Sequence, residues 1–222
     1  MTALEWVAEG TRLFDDRLAA LSDTEMDMAS ALPGWSRRHV VAHVAHNARA
    51  LVRLLRWART GEETPMYASR QARDAEIAEG ARLEAPALRA LYAASRDELA
   101  EADHLLPTEC WSAWVRTVQG RMVRAEEIRW MRTREVWIHA VDLSNGASFA
   151  DFPADLLDAL IDDVTAWRSR QARSSGLLIA PTDRNRQWRI EGSPTQTLTG
   201  TAAELAAVLT GRAPGPDLGR WL

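Results

Sequence analysis

The chain has 222 residues, 46% of them apolar, enough to bury one substantial core and a small second unit. A net charge of -4 and a pI near 5.8, with no basic run, leave no electrostatic footprint for a phosphate backbone, so no nucleic-acid partner is expected. No stretch approaches the roughly 18 uninterrupted apolar residues of a membrane span. The opening MTALEWVAEG carries early acids rather than a basic, then apolar, leader, so a soluble cytoplasmic protein with no membrane partner is expected.

Leu4, Val7, Thr11, Phe14, Leu18 and Leu21 recur at intervals of three and four, which predicts a first bundle helix from about Thr2 to Leu21. The turn Leu32-Pro33-Gly34-Trp35 precedes Ser36, a good N-cap, and a second helix runs to about Arg59 and ends at Gly61. Val40, Val44, Ala48, Leu51 and Leu55 form its buried stripe, while His39, His43 and His46 line an adjacent narrow one. Residues 69 to 105 read as helical, broken near Gly80 and Pro86, and a less regular stretch holds Cys110, Trp111 and Trp114. A further helix from about Arg124 to Leu143, stopped by Ser144-Asn145-Gly146, carries Ile128, Met131, Glu135, His139 and Asp142 on one face.

Four long helices joined by modest loops favour an antiparallel bundle, a scaffold that builds metal sites from side chains projecting inward. Composition changes after Gly146. A helix from about Pro153 to Arg170 leads to short strand-like pieces at Leu177 to Ala180, Gln187 to Ile190 and Thr195 to Thr199, then to a helix from Thr201 to Leu209 ended by Gly211. The expected fold class is therefore α+β: residues 1–148 a helical bundle, residues 149–222 a small C-terminal α/β domain.

Several chemistries are excluded by residue type. Cys110 is the only cysteine, so neither an intramolecular disulfide nor a cysteine-rich zinc framework can form. All 27 basic residues are arginine, which removes Schiff-base and phosphate-loop lysines; arginine also offers a planar fork suited to carboxylates.

The most informative set is His43 on one helix with Glu135 and His139, four apart, on another. Two imidazoles and a carboxylate suit a catalytic zinc site, because three protein ligands leave a fourth position for thiolate, water or substrate. Spacing alone does not choose the ligands: His39 with His43, or His43 with His46, could chelate a metal, and Glu135 with His139 is also an ordinary stabilising helix pair. Asp142, one turn beyond His139, could orient a ligating imidazole or be a solvated carboxylate near a helix end. Tryptophans such as Trp57, Trp130 and Trp137 read as core or cleft wall, and Cys110 as an inert thiol.

Four stretches carry a resemblance to a known family. They are LPGWSRRHVVAHVAHN from Leu32 to Asn47, RQARDAEI from Arg70 to Ile77, MRTREVWIHAVDL from Met131 to Leu143, and TGTAAEL from Thr199 with LTGR ending at Arg212. Together they resemble mycothiol-dependent maleylpyruvate isomerases, within the DinB-like group of metal-dependent thiol enzymes. The resemblance implies a DinB-like four-helix bundle with zinc held by His43, Glu135 and His139, and leaves His39 and His46 as neighbours; His46 departs from the family pattern. It also implies mycothiol as thiol cosubstrate and Arg73 and Arg212 as catalytic arginines. The implied reaction converts maleylpyruvate to fumarylpyruvate by thiolate addition to the cis double bond, bond rotation and elimination. The competing readings are a mycothiol S-transferase acting on another electrophile, with identical metal and thiol chemistry, and a non-enzymatic metal- or ligand-binding protein. The expected partners are a small-molecule substrate and a low-molecular-weight thiol, with the chain a monomer or weak homodimer.

Overall fold

A computed structural model describes residues 1–170, 176–193, 195–216 and 218. Among the described residues, seven α-helices and two small sheets make a mixed α+β fold with a helical core. Backbone contacts divide it into two compact units, one from Thr2 to Ala147 and one from Ser148 onward together with Met1. Among the described residues no helix is long and apolar enough to cross a membrane.

In the first unit α1 (Ala3–Ala19) starts at Thr2, whose side chain forms a reciprocal capping box with Glu5. Its buried line is Gly10, Phe14 and Leu18; Leu4, placed on the stripe by its spacing, is exposed near the start of the helix. Then come α2 (Arg37–Thr60), α3 (Arg70–Ala81), α4 (Ala85–His104) and α5 (Glu127–Asp142). Helix α2 is central, packing on α3, α4 and α5, while α1 packs on α5. Its predicted stripe is buried throughout: Val40, Val44, Ala48 and Leu51 are fully enclosed and Leu55 nearly so. Asp15 of α1 accepts from the Tyr92 hydroxyl at 2.6 Å and from Arg96 at 2.8 Å, which joins α1 to α4 and completes the bundle.

Close helix approach is written into two glycines. A Cβ on Gly10 would meet Trp137 at 2.5 Å, and one on Gly80 would meet Ala42 Cβ at 2.9 Å and His46 Nε2 at 3.1 Å. Only a hydrogen in place of a side chain lets α1 reach α5, and α3 reach α2, at these crossings.

Two elements differ from expectation. The stretch after α4 is a short 3-10 turn followed by a hairpin, β1 (Trp114–Arg116) and β2 (Met122–Arg124), paired antiparallel with Val115 opposite Val123. Strand β2 ends at Arg124, the residue at which the last bundle helix is predicted to open, and that helix begins at Glu127 instead. The predicted break between α3 and α4 falls after Ala81, so Gly80 lies inside the last turn of α3 and Pro86 in the first turn of α4, where its missing N–H is harmless.

The second unit holds α6 (Ala154–Arg170), β3 (Gly176–Pro181), β4 (Trp188–Ile190), β5 (Thr195–Gly200) and α7 (Ala202–Leu209). Strand β3 is central, antiparallel to β4 and parallel to β5, and Leu177, Ile179, Trp188 and Ile190 are buried. Thr201 caps α7 through a capping box with Glu204.

Candidate metal centre

Helices α2 and α5 run antiparallel, and two arginines tie them together on either side of one level of the bundle. Arg37, in the first turn of α2, donates from Nε to the Leu143 carbonyl at 2.7 Å and from Nη2 to the Ser144 carbonyl at 2.8 Å. It thereby satisfies carbonyls that the end of α5 leaves without intrahelical donors. Ser144 takes the left-handed conformation there, at φ 54°. From the other side Arg132 of α5 donates from Nη1 to the Val44 carbonyl of α2 at 2.9 Å.

Between these ties His43, Glu135 and His139 meet, each offering one ligand atom within 4.8 Å of the others. His43 Nε2 lies 2.9 Å and His139 Nε2 3.2 Å from the same oxygen, Glu135 Oε2. The rings of His43 and His139 stand nearly perpendicular, their centroids 4.7 Å apart. The second nitrogen of His139 is committed elsewhere: Nδ1 lies 2.7 Å from the fully buried Asp142 carboxylate. A proton on Nδ1 then leaves Nε2 with a lone pair aimed at Glu135, the tautomer a metal-binding imidazole needs.

The donor set fits a divalent cation. Glu135 Oε2 is buried and lacks a well-aligned hydrogen bond although two imidazole nitrogens crowd it. Buried carboxylate oxygens are ordinarily hydrogen-bonded, and one that faces two imidazole nitrogens off the hydrogen-bond line is satisfied when all three atoms address a cation. Nitrogen and oxygen donors of this kind suit zinc.

Without a metal, burial and the mutual charges of the three groups pull their protonation in different directions. Burial lowers His43 despite the attraction of Glu135, so its imidazole stays neutral. Burial also opposes charge on His139, but the hydrogen bond to Asp142 and the nearby carboxylate of Glu135 outweigh it and lift the ring to about 9. Burial would raise Glu135, yet the two imidazoles beside it hold its carboxyl well below the usual carboxylate range.

The other residues singled out by sequence have separate placements. His39 acts in capping: Ser36 N–H donates to its Nδ1 at 3.3 Å, and Ser36 Oγ is 2.8 Å from the same atom. His46 turns toward α3, with Nδ1 3.4 Å from Glu76. Arg73 stands in the first turn of α3, started by Ser69 accepting from Ala72 N–H at 3.0 Å, and its Nη2 reaches to 3.4 Å from His43 Nδ1. Arg212 belongs to the second unit, where its Nη1 donates to the Thr210 carbonyl at 2.8 Å.

Residues missed by the sequence reading also surround the centre. The Trp35 ring lies 5.6 Å from His43 and 6.1 Å from His39. Tyr67, beneath the Arg53 guanidinium, is pushed up first by burial and then by the field of Glu135, so it remains a neutral donor. It also walls a cavity of about 240 Å³ with Trp57, Met66, Arg70 and Arg116. The Leu-Pro-Gly-Trp turn could have signalled Trp35, whereas nothing local in the sequence marks Tyr67.

Residues 7–144 match the family described as the mycothiol maleylpyruvate isomerase N-terminal domain. The chain belongs to this family. Two solved structures extend the likeness over nearly the whole molecule: the crystal structure of the mycothiol-dependent maleylpyruvate isomerase and that of a histidine-to-alanine mutant of it. Each is 38% identical, with a TM-score of 0.92 over 99% of this chain and 95% of the other. No curated protein matches. The His43, Glu135 and His139 cluster lies within the matched segment.

Proposed function

We propose that this protein is a zinc- and mycothiol-dependent isomerase that converts maleylpyruvate to fumarylpyruvate. The observation that carries the reading is the convergence of His43 Nε2, His139 Nε2 and the hydrogen-bond-deficient Glu135 Oε2 at one buried point, in a chain of this family. His43, Glu135 and His139 hold the metal. Bound there, zinc would lower the pKa of an incoming thiol and so supply a thiolate at neutral pH.

The thiolate sulfur adds to one carbon of the cis double bond, and the displaced electron pair moves onto the conjugated carbonyl as an enolate. The former double bond is now single and rotates. Collapse of the enolate re-forms the double bond in the trans geometry and expels the sulfur, so neither an oxidant nor a net proton is needed. Arg73 binds a substrate carboxylate and stabilises the enolate, a task for fixed positive charge in a cleft. Glu135 serves the metal rather than proton transfer, since its carboxyl is held ionised and is close to both imidazoles.

Purified zinc-loaded protein incubated with maleylpyruvate tests the reading. Fumarylpyruvate is expected only when mycothiol is present, and chelation of zinc is expected to abolish it. Isomerisation absent under all conditions, with mycothiol instead joined to other electrophiles, would replace this reading by the S-transferase alternative. Failure of the protein to take up zinc would leave only the non-enzymatic one.

A further inference from the structure

Among the described residues, no carboxylate is bonded to the buried cation Arg132. Only 2% of its surface is exposed, Nη1 donates to the Val44 carbonyl at 2.9 Å and to Asn47 Oδ1 at 3.3 Å, and Nη2 is buried without any hydrogen-bond partner. Such a group is a poor stabiliser. Desolvating a guanidinium is expensive, two hydrogen bonds offset it incompletely, and an apolar side chain of similar volume commonly does as well or better.

Its position suggests what it does instead. Arg132 lies one turn before Glu135 on α5, and its bonds land on α2 at Val44, next to His43, and at Asn47, one turn beyond His43. The guanidinium therefore bridges the two ligand-bearing helices at the level where their ligands must meet. Arg37 ties the same pair of helices beyond His139, but its bonds reach the end of α5 and not the turn that carries Glu135.

We propose that Arg132 is a positioning residue for the metal centre: by gripping the Val44 carbonyl and Asn47 from α5, it sets the separation of His43 from Glu135 that a three-ligand site requires. This rests on the metal-binding reading of His43, Glu135 and His139. An R132M chain then keeps its fold but presents a looser ligand set, because interhelical spacing at that turn is left to apolar packing alone.

The test compares wild type, R132M and R132K by zinc affinity against a competing chelator and by the visible absorption of the cobalt(II)-loaded proteins, at a temperature where each is folded by circular dichroism. R132M is expected to lose zinc affinity by about tenfold or more and to show a changed cobalt spectrum, the range typical when a group supporting metal ligands is removed. R132K, which retains the cation and one donor, is expected to restore both toward wild type. Folded R132M with wild-type affinity and spectrum would overturn the proposal, even if its melting temperature had changed. If R132M does not fold, N47A carries the test: it is expected to weaken zinc binding by about threefold, and unchanged affinity would overturn the proposal. Wild type that binds neither zinc nor cobalt would instead remove the metal-centre reading itself, a result separable from the others.

Discussion

Asp142, with no exposure to solvent, places its Oδ2 2.7 Å from Nδ1 of His139. The carboxylate accepts the Nδ1 proton and leaves Nε2 free for a metal. D142N reverses this preference, because an amide can donate to Nδ1 and drive the proton to Nε2. Zinc affinity of D142N, measured by chelator competition, is expected to fall by about 10- to 100-fold with the helical signal retained. Affinity equal to wild type would show that Asp142 serves packing alone.

Removing a ligand and removing a neighbour should be distinguishable. H43A, E135A and H139A are each expected to lose stoichiometric zinc by elemental analysis. H39A should keep it, since His39 is occupied with Ser36 at the start of α2. Loss of that cap is expected to cost about 0.5–1 kcal/mol in chemical denaturation.

Metal occupancy should reverse the pH dependence of stability. In the metal-stripped protein His139 is raised from 6.5 to about 9, so its contribution is complete below its unfolded value and is lost as pH climbs through about 9. His43 is lowered from 6.5, so its contribution is present above that value and is lost as pH falls through its lower folded value. Stripped protein should therefore become less stable from pH 6.5 to 9. Zinc competes with protons for both imidazoles, and zinc-loaded protein should gain stability over the same interval. Melting temperatures with zinc and with chelator, at both pH values, check the change of sign.

Arg73 Nη2 lies 3.4 Å from His43 Nδ1. R73A is expected to retain zinc while isomerisation falls by about 100-fold or more, the usual effect of losing one group that stabilises a developing negative charge. Thiol transfer left intact, in a protein whose wild type also never isomerises maleylpyruvate, would speak for an S-transferase.

The parts of this design set by local chemistry were legible in the chain. Ser36 before the Val40, Val44, Ala48, Leu51 and Leu55 stripe marks α2, and that stripe is buried. The choice among three histidines was not legible from spacing, because all three lie along one narrow strip of α2. What separates them is nonlocal or finer than periodicity: His39 is drawn to its own cap, His46 faces α3 at Gly80, and only His43 meets α5. Resemblance to a family, not periodicity, pointed to that ligand. Strands β1 and β2 were missed because three residues are too few to show alternation, and that omission moved the expected start of α5 three residues early. Arg132 looked like any arginine on a helix, and its burial depends on where α2 lies.

The antiparallel pairing of α2 with α5 has a temporal consequence. His43 leaves the ribosome long before Glu135 and His139 are synthesised, so a nascent chain holds only a fragment of the chelate and has little hold on an ion. On the zinc reading proposed above, capture waits until both helices are made, in contrast to small fingers whose ligands are neighbours in sequence and whose folding the ion itself drives.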